Sequence, residues 1–331
     1  MLVDGRSHAL VPAFLELFQE QTERIKTELF ECLVETTTPI CETASEVLDS
    51  LQRLRAEVAE RADAAGLAVL ASGSHPFGRG DEQPLVDEPR YRKMADELGD
   101  AVHRQLVCGL HVHVGMPSRE ACLNAFEGVL PWLPTLLSLS ANSPYLEGEE
   151  AGARSGRAGR LAELPGPAAP PVLRTWAEWE TLTAGRDYTR MWWDVRPHPR
   201  FGTLEVRMAD QQTDVRRSAG IAALVQALAM WASEGEHEPL DREEYTARRA
   251  AAAVDSLPVD ALADLVERPA SQLGGWPLAE ELLAGPPEAE RQLAVGRPAG
   301  TAAVAADLVE RSQPWRSTAT CGKRGPREKG V

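Results

Sequence analysis

Apolar residues at Leu10, Phe14, Leu17, Phe18 and Ile25 recur close to the helical period and predict an amphipathic helix over 10–26. The period then changes. Over 28–36, Phe30, Cys32 and Val34 alternate with Glu31 and Glu35, the pattern of a half-buried strand. Thr43 with Glu46 three residues on is a capping-box signal for a long helix to about residue 65, which Gly66 can end in the left-handed conformation. Residues 67–72 read as a short buried strand, and a Gly-, Asp- and Pro-rich loop leads to a helix over 89–104. The clearest strand is 106–116, ended by Pro117; Ser118 can cap the next helix, which Pro131 and Pro134 interrupt. Residues 142–171, rich in Gly, Pro, Ala and Arg, read as a long loop and a candidate lid. Two strands over 191–196 and 202–210 are joined by 197–201, and 214–233 is a densely apolar helix. Beyond Gly235 the chain is Ala-rich and helical, and the tail from 316 onward reads as disordered.

Composition narrows the classes. A chain of 331 residues with 43% hydrophobic and 26% charged residues can bury a full core, and the expected organisation is one domain over 1–315 with 316–331 as its tail. Lys+Arg 35 against Asp+Glu 50 leaves a net charge of −15, so neither nucleic acid nor an anionic membrane is an expected partner. An anionic ligand must be gripped locally by a few arginines or a metal ion. The apolar run over 219–231 falls short of the roughly 20 residues that span a bilayer, so no transmembrane helix is expected. The first residues lack the pattern of a signal peptide, and five cysteines without a C-x-x-C pair argue against a disulfide framework or a zinc ribbon. A cytoplasmic location is the expectation.

The chemistry sits on strand faces. In 108–115, alternation puts Cys108, Leu110, Val112 and Val114 on one side and His111 and His113 on the other, where two imidazoles can ligate a metal or meet phosphate and carboxylate oxygens. A solvated face with two histidines is the other reading of this segment. Leu204, Val206 and Met208 likewise oppose Thr203, Glu205 and Arg207, and the neighbouring strand groups Asp194 with Arg196. Each pair alone fits a salt-bridge ladder. Together, Glu35, His111, His113, Asp194, Arg196, Glu205 and Arg207 suggest one antiparallel sheet whose polar concave face is suited to Mg-nucleotide and an amino acid, with helices on its apolar face. The fold class expected is α+β. No G-x-x-x-x-G-K-[ST] and no G-x-S-x-G occurs, and His111-x-His113 finds no further ligand motif for a metal hydrolase.

The segments 35–39 (Glu-Thr-Thr-Thr-Pro), 73–77 (Gly-Ser-His-Pro-Phe), 109–115, 141–144 (Ala-Asn-Ser-Pro) and 155–157 (Ser-Gly-Arg) match one family in order and spacing. Most specific is 192–197, Trp-Trp-Asp-Val-Arg-Pro, leading into 202–207, Gly-Thr-Leu-Glu-Val-Arg, and Asp210. The chain resembles the ATP-dependent carboxylate-amine ligases of the second glutamate-cysteine ligase group, within the glutamine synthetase-like superfamily. The resemblance carries the motif-bearing part, 28–235, and leaves 236–315 as a helical C-terminal part.

The resemblance implies a half-barrel sheet cradling Mg-ATP and glutamate, with γ-glutamylcysteine made through an acyl phosphate. It implies Glu35, His111 and Glu205 at the metals, Glu205, Arg207 and His113 in catalysis, and Arg157 and Arg196 at the nucleotide. The partners implied are small molecules, namely glutamate and cysteine or another amine, and a homo-oligomer is compatible with the reading. Members of the family usually open with a strand of the type Gly-Val-Glu-Glu-Glu-Phe just before a Leu-Val-Asp like Leu2-Val3-Asp4, and that strand is expected to be missing here. Near 243–249 only Tyr245, Arg248 and Arg249 echo the family's helix pattern. The competing reading is therefore a catalytically impaired remnant acting as a binding or partner protein.

Overall fold

The computed structural model describes residues 1–20, 22–166 and 169–313. β1 (Leu2–Asp4) pairs antiparallel with β4 (Leu67–Val69), and between them lie α1 (Phe14–Leu17), the antiparallel pair β2 (Ile25–Thr27) and β3 (Val34–Thr36), and α2 (Ala44–Ala64). The helix expected over 10–26 is thus confined to α1. Phe14 and Phe18 stack at 5.0 Å, buried with Leu54, Val58 and Ala62 of α2, whereas Ile25 and Thr27 are buried through pairing with β3. Pairing here outweighs the helical period. The strand expected over 28–36 shrinks to β3 because the backbone before it turns, Leu33 N–H donating to Phe30 C=O at 2.9 Å. The cap of α2 forms as expected: Thr43 Oγ1 accepts from Glu46 N–H, and Gly66 leaves the helix with φ +72°.

α3 (Pro89–Leu98) runs into a 3-10 turn before β5 (Gly109–Gly115). Ser118 caps α4 (Arg119–Val129), and a turn through Pro131 separates it from α5 (Leu133–Ser140). The stretch expected to be a loop and lid instead holds the hairpin β6 (Tyr145–Leu146) and β7 (Glu149–Glu150) and the short helix α6 (Gly156–Ala162). Its Asn142, Ser143, Ser155 and Arg157 are all buried, because they converge on Asp210 rather than on solvent. After α7 (Trp176–Thr183) come β8 (Val195–His198) and β9 (Thr203–Asp210), which with β5 make a three-stranded antiparallel sheet in the order β5-β9-β8. The fold is α+β, with the strands of the described residues divided among four small antiparallel sheets.

α8 (Val215–Ser233), capped by Asp214, is the central helix. Ala219, Ile221, Leu224 and Leu228 are at most 1% exposed, and the helix packs against α4, α2, α10 (Asp260–Gln272) and α11 (Trp276–Ala284). The same core takes Leu204, Val206 and Met208 from β9. Full burial of one such aliphatic side chain contributes roughly 1.5–3 kcal/mol. α9 (Arg242–Val254) packs on α5, and α12 (Glu288–Ala299) packs on α13 (Thr301–Ser312). Buried polar bonds tie this C-terminal pair in: Gln292 Nε2 donates to Ser72 Oγ and Asn142 Oδ1, and Glu288 accepts the N–H groups of Thr213 and Asp214. The tail expected from 316 onward lies outside the described residues. Among those residues no helix is long and apolar enough to cross a membrane.

Candidate functional site

Strand alternation turns Leu204, Val206 and Met208 of β9 into the core and leaves Thr203, Glu205 and Arg207 on the other face. Register then decides their neighbours. His113 of β5 and Arg196 of β8 lie directly opposite Glu205, while an irregularity between Leu110 and Val112 takes His111 out of step. Arg196 donates from Nε to Glu205 Oε2 at 2.6 Å, and its Nη1 donates to the carbonyls of Tyr188, Thr189 and Met191. Arg207 Nη1 donates to Glu205 Oε1. His113 Nε2 and His111 Nδ1 stand 3.7 and 3.8 Å from that same oxygen, beyond hydrogen-bond reach. The second nitrogen of His113 meets Thr203 Oγ1 at 3.0 Å.

Burial pushes the Glu205 carboxyl up, but Arg207, Arg196 and His113 outweigh it and hold it below the usual carboxylate value. Desolvation and then the charges of Arg207, Arg157 and Arg196 hold His111 well below an ordinary imidazole. Its side chain keeps 39% of its surface open, so the surrounding positive charge is the firmer cause. His113 is lowered too, by desolvation against the pull of Glu205. Both shifts favour the neutral ring. Among the described residues, the guanidinium of Arg207 makes no hydrogen bond besides that to Glu205, so Nε and Nη2 are left open beside these neutral imidazoles.

Arg157 does something else. It is 3% exposed in the first turn of α6, with Nη1 donating to the carbonyls of Met208 and Ala209 and Nη2 to that of Arg207. Asp210, 3.8 Å away, accepts from Asn142 N–H, Ser143 Oγ and Ser155 Oγ. Two motif glycines make room for this hub: a Cβ on Gly73 would stand 2.7 Å from the Asp210 side chain, and one on Gly109 would stand 2.2 Å from Arg157. Arg157 therefore braces β9 through its backbone carbonyls and is not part of an open loop.

Asp194 does not join Arg196 at Glu205. It precedes β8 and accepts from Tyr245 Oη at 2.7 Å and Arg249 Nε at 2.6 Å, anchoring α9. Two of the three residues of the faint echo thus acquire a structural role. Glu35 lies on a different sheet, opposite Lys26 and 4.0 Å from its ammonium. Near it the Glu28 carboxyl is raised, first by burial and then by the charge of Glu35.

The structure does not gather Glu35, His111 and Glu205 into one ligand set. Among the described residues no group of three or more His, Cys, Asp or Glu side chains is placed to hold a metal ion. The donor chemistry gives the reason: guanidiniums occupy both Glu205 oxygens where a cation would sit, so a Mg²⁺ ion bound by these three residues does not fit. Residues overlooked on this face are His198 and Phe201 at the hairpin tip, whose rings stack at 4.3 Å. The signal available was two aromatic rings within one five-residue connection.

The sequence pattern of Glutamate-cysteine ligase family 2 (GCS2) matches residues 3–282, which include every strand of this site. The chain belongs to glutamate-cysteine ligase family 2. "Putative glutamate–cysteine ligase 2-3" of Rubrobacter xylanophilus is 40% identical over 256 residues, 73% of this chain and 70% of that protein. "Putative glutamate–cysteine ligase 2-1" of the same organism is 35% identical over 249 residues, 72% and 66% of the two chains. "Putative glutamate–cysteine ligase 2" of Herpetosiphon aurantiacus is 36% identical over 216 residues, 62% and 55%. The matched stretch of this family member thus spans between 55% and 70% of these relatives' lengths.

Proposed function

We propose that the chain is an ATP-dependent carboxylate-amine ligase that joins glutamate to an amine, with cysteine the first candidate, in the cytoplasm. The observation that supports this most is the open edge of Arg207 on the polar face of β9, in a chain of this family. A planar guanidinium with two free donors grips a carboxylate or phosphoryl group through paired hydrogen bonds. An oxygen of the glutamate side-chain carboxylate attacks the γ-phosphorus of ATP, and the bond to the bridging oxygen breaks, releasing ADP. The amine then attacks the acyl carbon, phosphate leaves with the oxygen, and the nitrogen gives up a proton. Arg207 orients the anionic groups, the neutral His113 accepts that proton, and Arg196 holds Glu205 in place. No step is assigned to Mg²⁺, although phosphoryl transfer in general draws on it.

The second reading is a protein that binds an amino acid without turnover, and the pairing of Glu205 with two guanidiniums favours it. One assay separates the two. Glutamate-dependent ADP release is measured with a panel of amines, for the parent and for Arg207→Lys. The ligase reading expects release that requires glutamate, and a KM for glutamate raised roughly tenfold in the variant with a smaller change for ATP. Glutamate binding with no ADP release under any amine would establish the binding protein instead.

A further inference from the structure

We propose that the tip of the β8–β9 hairpin is a nucleobase platform, on which the Phe201 ring stacks the purine of a nucleoside triphosphate whose phosphates run along the sheet face towards Arg207. The proposal rests on the ligase reading and adds to it where the base lies. Phe201 is 61% exposed, and no other aromatic ring of Phe, Tyr or Trp among the described residues is as open. It is nevertheless held firmly. One face lies on the His198 ring with an interplanar angle of 7°, and His198 is braced edge-on by His113 and by Tyr188, each at 5.3 Å. The N–H groups of Phe201 and Gly202 both donate to His198 C=O, and Gly202, at φ +65°, closes the turn in a conformation that glycine favours.

A flat ring held on one side by His198 and still largely exposed, with the Arg200 guanidinium over it, offers what base stacking requires, since any purine presents a π-face. The surroundings point to a nucleotide rather than to a purely apolar partner. The Arg200 guanidinium lies 5.6 Å from the Phe201 centroid, and His198 Nδ1 is buried without a hydrogen-bond partner, a polar atom that a simple apolar cap has no use for. The face is also continuous. His113 lies 5.9 Å from Phe201, bonds Thr203, and reaches towards Glu205, which in turn holds Arg207. In a chain of net charge −15, this line from Arg200 to Arg207 concentrates positive charge on one face, as a polyphosphate requires.

The test compares two probes on the full chain by calorimetry at one magnesium concentration: ATP, and inorganic tripolyphosphate, which has the charge but no base. Phe201→Ala should weaken ATP binding by roughly tenfold and leave tripolyphosphate unchanged, while Phe201→Trp should restore ATP affinity. Unchanged ATP affinity in Phe201→Ala, or an equal loss for tripolyphosphate, overturns the platform and leaves the ligase reading standing. A parent chain that binds neither probe overturns both.

Discussion

Arg157 lies at the C-terminal end of β9 and donates to three successive carbonyls of that strand, whereas Arg207, whose own carbonyl is one of the three, makes a single side-chain hydrogen bond and keeps two donors open. Each also adjoins a buried carboxylate. Asp210, beside Arg157, is raised because burial outweighs one guanidinium at 3.8 Å and several hydrogen bonds. Glu205, beside Arg207, is lowered because guanidiniums contact both of its oxygens. The same side-chain chemistry on one strand therefore gives a brace at one end and a candidate anion grip at the other. What differs is how many donors the surroundings engage.

The largest effect that would break this comparison is in stability. Arg157→Ala removes three bonds to the strand and leaves Asp210 buried without its counter-charge, so urea unfolding should lose about 3–5 kcal/mol. A loss below about 1 kcal/mol would show that Arg157 is no brace. Next is Arg207→Ala. Glu205 keeps Arg196, so stability should change by roughly 1 kcal/mol or less, while glutamate affinity, followed by calorimetry, should fall about tenfold or more. Unfolding of this variant under native conditions would make Arg207 a second brace.

The smallest effect is a change in the slope of acid denaturation. Glu205 is held below its usual value, so its stabilisation is complete above the ordinary carboxylate range and is lost as pH falls through its depressed folded value. Asp210 is raised and acts in the opposite sense, gaining stability as pH falls through its folded value. Urea unfolding at pH 6 and pH 3.5 should therefore show a shallower acid loss in Glu205→Gln than in the parent, and a steeper one in Asp210→Asn. Equal slopes in all three proteins would remove the electrostatic half of the comparison.

Local signals were legible where one segment supplies both the pattern and the partner. The Thr43 and Ser118 caps, the turn at Gly66 and the apolar helix α8 all follow from residues a few positions apart. The face shared by Thr203, Glu205 and Arg207 was legible for the same reason. Reading failed where a distant partner competed. Ile25 has helical spacing from Leu17 and Phe18 but is taken by β3, and Ser143, Ser155 and Arg157 have loop-like composition but are drawn in by Asp210. Asp194 sits two residues from Arg196, yet it pairs with Tyr245 and Arg249, some fifty residues on, and not with the Glu205 group.

Alternation is a property of a strand's own backbone, so sequence by itself determined that β5 and β9 each have an apolar and a polar face, and which residues those faces carry. The motifs with their order and spacing also determined the family. Tertiary structure alone decided that His113 and Arg196 flank Glu205, that Glu35 stands on another sheet, and that Arg207 keeps free donors while Arg157 has few left. Register, and the number of donors that each side chain has left, depend on atoms far apart along the chain, and no local period encodes them.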